Sequence, residues 1–245
     1  MSVDELYVIE KSEVNREAFH RSYNLLDYGG RILNLPKEFL NKNERKNQED
    51  RIAFFNSKSK LLFYSLENKN QKDIYYRWKQ NGGNWSDAIA LDETINTNYD
   101  EEYPILMPDG KTLYFCSKGH NTMGGYDIFQ SVFDSVSKQW SSPVNLSFPF
   151  STPADDILFI ANSDESAAWF ASDRNSNPDK IAVYKVGIIK KSQASADLSE
   201  IFNKVNISRK DVGKIKDMAN LDINISSKKF DGIPINKSRK LDAFL

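Results

Sequence analysis

The sequence predicts an all-β protein assembled from repeated units of short antiparallel strands. Three observations indicate this class: a sequence repeat with a constant offset, short apolar runs rich in aromatic and β-branched residues, and turn-forming residues between those runs. Of the 245 residues, 40% are hydrophobic and 27% are charged, which is typical of a folded globular protein. The 33 basic and 34 acidic residues give a formal net charge of -1, which argues against a general nucleic-acid-binding surface.

The repeat runs through the middle of the chain. The segment NWSDAIALDETINTNYDEE from Asn84 aligns with QWSSPVNLSFPFSTPADD from Gln139, and six matched positions are all 55 residues apart. The same offset relates Phe115 to Phe170 in the strand-like runs that follow, and KLLFYS, which contains Phe63, is an earlier copy. A fixed long period of this kind predicts a repeat architecture.

The units contain short strand-like runs in the same order, and a complete unit has four. In the central unit, YPILM and TLYFCS flank Pro108–Asp109–Gly110, which suits a tight turn because proline presets φ and glycine accepts positive φ. KGHNTMGGYDIF then gives a glycine-containing loop and a third strand, and the tryptophan segment supplies a fourth, outer strand. Four antiparallel strands in each unit of about 40–55 residues are typical of a β-propeller blade. A β-sandwich ranks second because it would not repeat sequence at a long fixed period.

The distribution of these units predicts three regions. Residues 50–188 hold the β-propeller repeats, residues 1–49 form a divergent N-terminal unit with a helical insertion, and residues 189–245 form an α/β extension that starts with helices. The insertion is predicted as an amphipathic helix over residues 12–28, with Ser12 as its N-cap.

The predicted blades are fewer than a closed propeller requires. ELYVIE near the N-terminus is predicted as the end of one unit, two full units follow, and a third lacks its tryptophan strand. Closed propellers have about four to eight blades. Three explanations stay open: the chain is a fragment, its divergent ends supply further strands, or copies of the chain pair with one another.

Two acidic clusters occupy equivalent positions in successive units. Asp100 and Glu101 in one unit correspond to Asp155 and Asp156 in the next, and Glu102 extends the first cluster. Carboxylates placed in this way would suit calcium or a catalytic acid pair. A feature repeated in every unit is more often architectural, so we expect these acids to form local hydrogen bonds. We therefore predict no cofactor and no metal, with calcium as the alternative.

The other reactive side chains are few. Cys116 is the only cysteine and lies in an apolar strand, which predicts a small buried hydrophobe. His120 lies in a glycine-containing loop, without a second histidine at a metal-binding spacing or a G-x-S-x-G nucleophile motif elsewhere in the chain. We expect His120 to form a hydrogen bond within the loop region, and we predict no catalytic residues.

The predicted binding surface consists of loops, because the strands are used in packing. The loops are 118–126 and the equivalent stretches 66–72 and 173–179. Trp85 and Trp140 recur in register and are predicted to pack within blades, whereas Trp78 is out of register and is expected to be exposed. The candidate binding residues are His120, Asn121, Met123, Asn175, Asn177 and Trp78.

The segment MPDGKTLYFCSKGHNTMGGYDIF carries a family resemblance. Its Pro-Asp-Gly-Lys turn, aromatic strand, paired glycines and Asp-Ile-Phe ending resemble the WD40-like repeat of TolB-type propellers. It is closer still to the propeller modules of Bacteroidetes OmpA-associated envelope proteins. The resemblance extends over residues 50–188. It implies a non-enzymatic scaffold that binds an envelope protein in the periplasm or at the outer membrane, as part of a peptidoglycan-associated or outer-membrane assembly.

Some properties are predicted by what the sequence lacks. No apolar run approaches the roughly 18 residues of a membrane-spanning helix, so we expect no membrane insertion. The first residues lack the basic and apolar regions of a signal peptide. A homo-oligomer or a multi-subunit complex stays open. The alternative function is a propeller that binds glycans, or hydrolyses glycans or peptides, with the acidic rim as its site.

Overall fold

The computed structural model describes residues 5–25, 28–46 and 51–189. The first described part contains strand β1 (Glu5–Asn15) and a 3-10 helix (Arg16–Ser22), and β2 (Gly30–Asn34), a second 3-10 helix (Lys37–Phe39) and helix α1 (Lys42–Lys46) follow. The remaining elements are strands: β3 (Ile52–Asn56), β4 (Leu61–Asn68), β5 (Gln71–Trp78), β6 (Ile89–Ala90), β7 (Glu101–Leu106), β8 (Thr112–Ser117), β9 (Asp127–Asp134), β10 (Gln139–Trp140), β11 (Val144–Asn145), β12 (Asp156–Ala161), β13 (Ala167–Ser172) and β14 (Lys180–Ile189).

The strands form three sheets among the described residues. The first sheet has the order β2-β3-β4-β5-β6, and the second has the order β10-β9-β8-β7 with β11 also paired to β9. The third sheet has the order β1-β14-β13-β12. The antiparallel pairing confirms the all-β class. The described residues show no closed ring of blades, and the predicted helical C-terminal extension lies outside them.

Residues 8–187 form one compact unit. A second unit consists of residues 2–7 and 188–245, of which only the outer ends of β1 and β14 are described. The account below concerns the first unit.

The second sheet has buried side chains on both of its faces. Leu113, Tyr114, Phe115 and Cys116 of β8 are all buried, without the alternation of a strand that has one face in water. Side chains of the first sheet, such as Ile74, share a hydrophobic cluster with Leu113 and Phe115. On the other face, the rings of Tyr114 and Phe159 lie 4.7 Å apart. The second sheet is therefore packed between the first and the third, and the prediction that Cys116 is buried is confirmed.

The turn between β7 and β8 is the predicted one. Oδ1 of Asp109 accepts hydrogen bonds from the backbone N–H groups of Lys111 at 2.8 Å and Thr112 at 2.9 Å. Gly110 has a φ of 72°, which glycine adopts without steric cost. The aspartate and the glycine together fix the reversal that starts β8.

The prediction of a helix over residues 12–28 is wrong. Ser12 lies within β1, which continues to Asn15, and the following turns form a 3-10 helix that ends at Ser22. Asn15 is the N-cap, because its side chain accepts a hydrogen bond from the backbone N–H of Glu17 at 2.9 Å. The strand signal lies in the run Tyr7–Val8–Ile9, since aromatic and β-branched residues favour strands, and this strand extends further than that run.

Strand β1 completes the third sheet. It lies beside β14, the position that β6 holds beside β5 in the first sheet and β10 holds beside β9 in the second. The N-terminal ELYVIE segment is therefore not the end of a preceding unit. It supplies the outer strand that the third unit lacks, because no tryptophan segment follows β14 among the described residues.

Candidate functional site

One edge of the sheets, called here the loop rim, gathers most of the predicted site residues. It is the edge at which β7 and β12 begin, because Glu101 pairs with Ser117 at the end of β8 and Asp156 pairs with Ser172 at the end of β13. Asp127 at the start of β9 lies in the same register. The predicted loop 66–72 is wrong in its extent, because β4 continues to Asn68 and β5 begins at Gln71, so that only Lys69 and Asn70 form the turn. This turn and the loops 118–126, 147–155 and 173–179 leave the sheets at this edge.

Glu101 and Asp156 are buried hydrogen-bond acceptors. Glu101 accepts from the backbone N–H and the hydroxyl of Thr97, both at 2.8 Å, and from Oγ of Ser117 at 2.6 Å. Asp156 accepts from Oγ1 of Thr152 at 2.6 Å and pairs with Arg174. Burial raises the pKa of Glu101, although these hydrogen bonds oppose the shift. Both carboxylates therefore form their hydrogen bonds and ion pairs within their own sheets and the adjoining loops.

Asp100 and Asp155 bind across to the neighbouring sheet. Oδ1 of Asp100 accepts from the backbone N–H of Lys72 at 3.1 Å, and Oδ1 of Asp155 accepts from that of Tyr126 at 3.0 Å. Their second oxygens face cations, Lys118 at 3.2 Å and Arg16 at 2.6 Å respectively. These are the hydrogen bonds expected of a repeated architectural acid.

The charge on Asp100 is favoured by its surroundings. Burial alone would raise the pKa of Asp100, but the hydrogen bond and positive charge of Lys118 outweigh burial and lower that pKa. Within the described residues, no group of three or more His, Cys, Asp or Glu side chains is arranged to hold a metal ion.

Loop 118–126 presents two of its predicted residues to solvent. Asn121 and Met123 are exposed, whereas His120 is half-buried. Nε2 of His120 lies 2.9 Å from the carbonyl oxygen of Ile95, and its ring packs against Phe129 with centroids 5.4 Å apart. His120 therefore anchors loop 118–126 to the segment that contains Ile95, through the kind of hydrogen bond expected from the sequence.

Loops 118–126, 147–155 and 173–179 contact one another. The backbone N–H of Gly125 donates to the carbonyl oxygen of Pro153 at 3.4 Å and so joins loop 118–126 to loop 147–155. Arg174 in loop 173–179 donates to the carbonyl oxygen of Pro149 at 2.8 Å. Asn175 and Asn177 are exposed on that same loop. Five of the six predicted binding residues thus lie on joined loops of one rim.

Trp78 lies elsewhere. It pairs with Leu61 at the end of β5 opposite to the loop rim, and its side chain is 40% exposed as expected. The recurrent tryptophans pack within their sheets: Trp85 contacts Phe55 with ring centroids 5.9 Å apart, and Trp140 contacts Phe133 at 5.2 Å.

Three exposed apolar residues lie on loops of the rim, and the sequence analysis missed two of them, Tyr99 and Phe148. Tyr99 is 61% exposed, Met123 is 50% exposed and Phe148 is 45% exposed, and only Met123 was a candidate. Tyr99 directly precedes Asp100, and Phe148 lies in the turn where Phe150 N–H donates to the Ser147 carbonyl. An aromatic residue inside a polar turn segment, where no strand needs it, is the signal that would have indicated them.

The sequence analysis also missed a cavity of about 230 Å³ beside the same rim. Its walls come from the starts of β3 and β7, the end of β4 and the 3-10 helix after β1. Its lining includes Arg16, Phe19, Asn34, Ser65, Glu102 and Tyr103. Residues from distant parts of the sequence form this cavity, so no local sequence motif predicts it.

Comparison with known proteins leaves the chain without a family assignment. No protein-family model matches the chain, and no curated protein matches it either. Among the residues that the structure describes, no helix is long and apolar enough to cross a membrane.

Proposed function

We propose that this chain is a non-enzymatic β-propeller scaffold that binds a partner protein through its loop rim. The observation that carries the proposal is the presence of Tyr99, Met123 and Phe148, all exposed, on loops of that rim. The proposal takes these three side chains as one apolar patch, since exposed apolar patches commonly mark protein interaction sites. Loops held on a packed scaffold are also the usual carriers of recognition.

The rigidity of the rim supports this proposal. His120 ties loop 118–126 to Ile95, and Arg174 ties loop 173–179 to Pro149. Loops that are fixed before binding lose little conformational entropy when a partner docks. The exposed Asn121, Asn175 and Asn177 add amide donors and acceptors on loops of the same rim. Protein interfaces combine apolar side chains with hydrogen-bonding groups of this kind.

The propeller architecture is part of the proposal. The strand orders β3-β4-β5-β6, β7-β8-β9-β10 and β12-β13-β14-β1 correspond to one another, although β2 adds a further strand beside β3 in the first sheet. The second sheet packs between the other two. The location in the bacterial cell envelope comes from the resemblance of residues 50–188 to envelope propeller repeats. A partner at the outer membrane or on peptidoglycan is the corresponding expectation.

The acids of the rim favour this function over the alternative of a hydrolase. A catalytic carboxylate must be able to exchange a proton with substrate. Glu101 and Asp156 are fully buried and bonded within their sheets, and Asp100 and Asp155 hold neighbouring sheets together. Each carboxylate therefore already has a structural use.

The test removes the apolar side chains of the rim. The triple variant Tyr99→Ser, Met123→Ser, Phe148→Ser and the wild type are used as baits for a bacterial envelope extract, and each captured protein is purified and its affinity measured directly. The matched control changes three exposed valines away from the rim: Val132→Ser, Val136→Ser and Val144→Ser.

We expect the rim variant to lose about thirtyfold or more in affinity for the partner, because the loss of even one interface hot spot costs about 2 kcal/mol or more. The control should bind as the wild type does. Equal binding by the rim variant, or a hydrolytic activity that His120→Ala abolishes, would overturn the proposal.

A further inference from the structure

The turn between Lys79 and Trp85 contains an asparagine followed by a glycine. Asn81–Gly82 is the single Asn-Gly pair among the 245 residues of the sequence. Asparagine is one of the thermolabile residues of proteins, because its side-chain amide can be lost by hydrolysis. The loss is fastest before glycine, since glycine has no side chain to hinder the approach of its own backbone nitrogen. Whether the reaction proceeds in the folded protein depends on how this turn is held.

The reaction requires a free backbone nitrogen and a free side chain. The nitrogen of Gly82 loses its proton and attacks Cγ of Asn81, so that a new N–Cγ bond forms and Nδ2 leaves as ammonia. The product is a five-membered succinimide ring. Water then opens the ring: addition at Cγ gives aspartate, and addition at the backbone carbonyl carbon gives isoaspartate, in which the chain continues through the side chain. Water is the one co-reactant, and no oxidant or reductant takes part.

Both reacting groups are free in this turn. Gly83 N–H donates to the carbonyl oxygen of Gln80 at 3.1 Å, and Gln80 N–H donates to that of Asn84 at 2.8 Å. Neither the N–H of Gly82 nor the side chain of Asn81 forms a hydrogen bond within the described part of the chain. The attacking nitrogen and the amide that it attacks are therefore not held apart by bonds to other groups.

The turn also has the room that the reaction needs. Residues 80–84 are all exposed, so water reaches Asn81 from solvent. Gly82 and Gly83 have φ values of 103° and 89°, and a side chain at either position would start in open space, with no other atom within 4 Å. Two consecutive glycines in open space can rotate toward the geometry of the ring at little steric cost.

The turn between β7 and β8 shows the opposite arrangement. Asp109 also precedes a glycine, and an aspartate in this position forms the same succinimide with loss of water. Here, however, Gly110 N–H donates to the carbonyl oxygen of Met107 at 2.9 Å. The Asp109 carboxylate accepts from Lys111 N–H at 2.8 Å, and from the N–H and the hydroxyl of Thr112 at 2.9 Å and 2.7 Å. The attacking nitrogen and the side chain are both held, so folding should slow the reaction at this turn.

We propose that Asn81 is a modification site of the folded protein, at which the asparagine converts spontaneously to aspartate and isoaspartate. The conversion adds a negative charge to the turn, and isoaspartate also adds a methylene group to the path of the backbone. The turn follows β5 at the end of that strand opposite to the loop rim, next to Trp78. The inference therefore does not depend on the proposed partner protein or on its binding surface.

The test follows the full chain during incubation at pH 8, folded in buffer and unfolded in concentrated guanidinium chloride. Trypsin cleaves after Lys79 and Lys111, so one peptide, residues 80–111, contains both pairs. Mass spectrometry of this peptide detects the replacement of the side-chain amide by a carboxyl group and locates it, and chromatography separates aspartate from isoaspartate. We expect Asn81 to convert at similar rates in the folded and the unfolded chain, and Asp109 to isomerise about tenfold more slowly in the folded chain.

The matched variant is Asp109→Asn, which places a second Asn-Gly pair in the turn that hydrogen bonds hold. In the folded variant we expect position 81 to convert about tenfold faster than position 109, whereas in denaturant the two positions should convert at similar rates. Asn81→Gln removes the site, because the longer side chain would have to form a six-membered ring. This exposed substitution should retain the stability of the wild type and accumulate no product at position 81.

Two results contradict the inference. The first is that Asn81 stays intact in the folded chain over a period in which the unfolded chain converts, since the turn would then protect it. The second is that positions 81 and 109 of folded Asp109→Asn convert at equal rates, since the hydrogen bonds would then not select the site. Either result leaves the scaffold proposal standing, because that proposal is tested by Tyr99, Met123 and Phe148.

Discussion

The carboxylate of Asp155 accepts a hydrogen bond from the backbone N–H of Tyr126 at 3.0 Å and so joins the third sheet to the second. Asp100 forms the same bond to the N–H of Lys72 at 3.1 Å, between the second sheet and the first. The two acids are 55 residues apart in the sequence, and their partners are 54 residues apart. The sequence repeat therefore corresponds to a hydrogen bond between neighbouring sheets as well as to the strands within each sheet.

Replacing Asp155 should destabilise the fold. Asp155→Ala removes the acceptor of Tyr126 N–H and one of the two carboxylates that hold Arg16. Hydrogen bonds to charged groups contribute about 1.5–3 kcal/mol, and half-exposure reduces this, so we expect a loss of about 1–2 kcal/mol. Urea denaturation measures the change. Asp87→Ala, an exposed acid without such bonds, is the control and should change stability by less than about 0.5 kcal/mol.

Ser65 and Ser117 should respond differently to the same substitution. Ser117→Ala leaves buried Glu101 without one of its donors, so a loss of about 1–3 kcal/mol is expected. Ser65→Ala removes an unpaired hydroxyl and should leave the free energy of unfolding unchanged or raise it. Both variants can be compared in one urea series. Equal destabilisation by the two changes would show that Ser65 is bonded in the same way as Ser117.

Asp109 should make stability depend on pH in the acid range. Burial would raise its pKa, but the hydrogen bonds from Thr112 and Lys111 outweigh burial and lower the pKa below 3.8. A carboxyl group whose pKa is lower in the folded state stabilises the fold above its unfolded pKa, and this contribution is lost as the pH falls through the folded value. Asp109→Asn should therefore be less stable than wild type at pH 7, by about 1 kcal/mol, with a smaller difference at pH 3.

Urea titrations of both proteins at pH 7, 5 and 3 measure this difference. Asp87→Asn, which lies on the surface, provides the control for a general change in net charge. A gap between wild type and Asp109→Asn that stays constant from pH 7 to pH 3 would contradict the assigned role of the Asp109 charge.

The sequence was sufficient to predict the features that depend on residue type and on neighbouring residues within one repeat. Turn residues such as Asp109 and Gly110, and the buried strand around Cys116, follow from residue type and short-range pattern. The pairing of Glu101 with Ser117 was expected only as local hydrogen bonding, yet its repetition in Asp156 and Ser172 made an architectural role the better prediction.

Features that depend on long-range pairing could not be predicted. The place of β1 beside β14 requires residues at opposite ends of the described chain to meet, and periodicity contains no information about that contact. The Ser65 hydroxyl has no partner among the described residues because Ile52, not an acid, stands opposite it, and this is visible only once the strand register is known. The irregular register within β7 and β12, where Tyr103 and Leu158 have φ values of 54° and 53°, also has no local sequence signal.

Strand β1 should be needed to protect the third sheet. Without it, the backbone N–H and C=O groups of β14 that face β1 would form an open edge, which favours pairing with other chains. A variant that lacks residues 1–15 should unfold at lower urea concentration and associate as its concentration rises. Light scattering across a concentration series measures the association, and Glu13→Pro provides a milder test, because proline weakens a strand without shortening the chain. A truncated protein that stays monomeric and as stable as the full chain would show that β14 needs no covering strand.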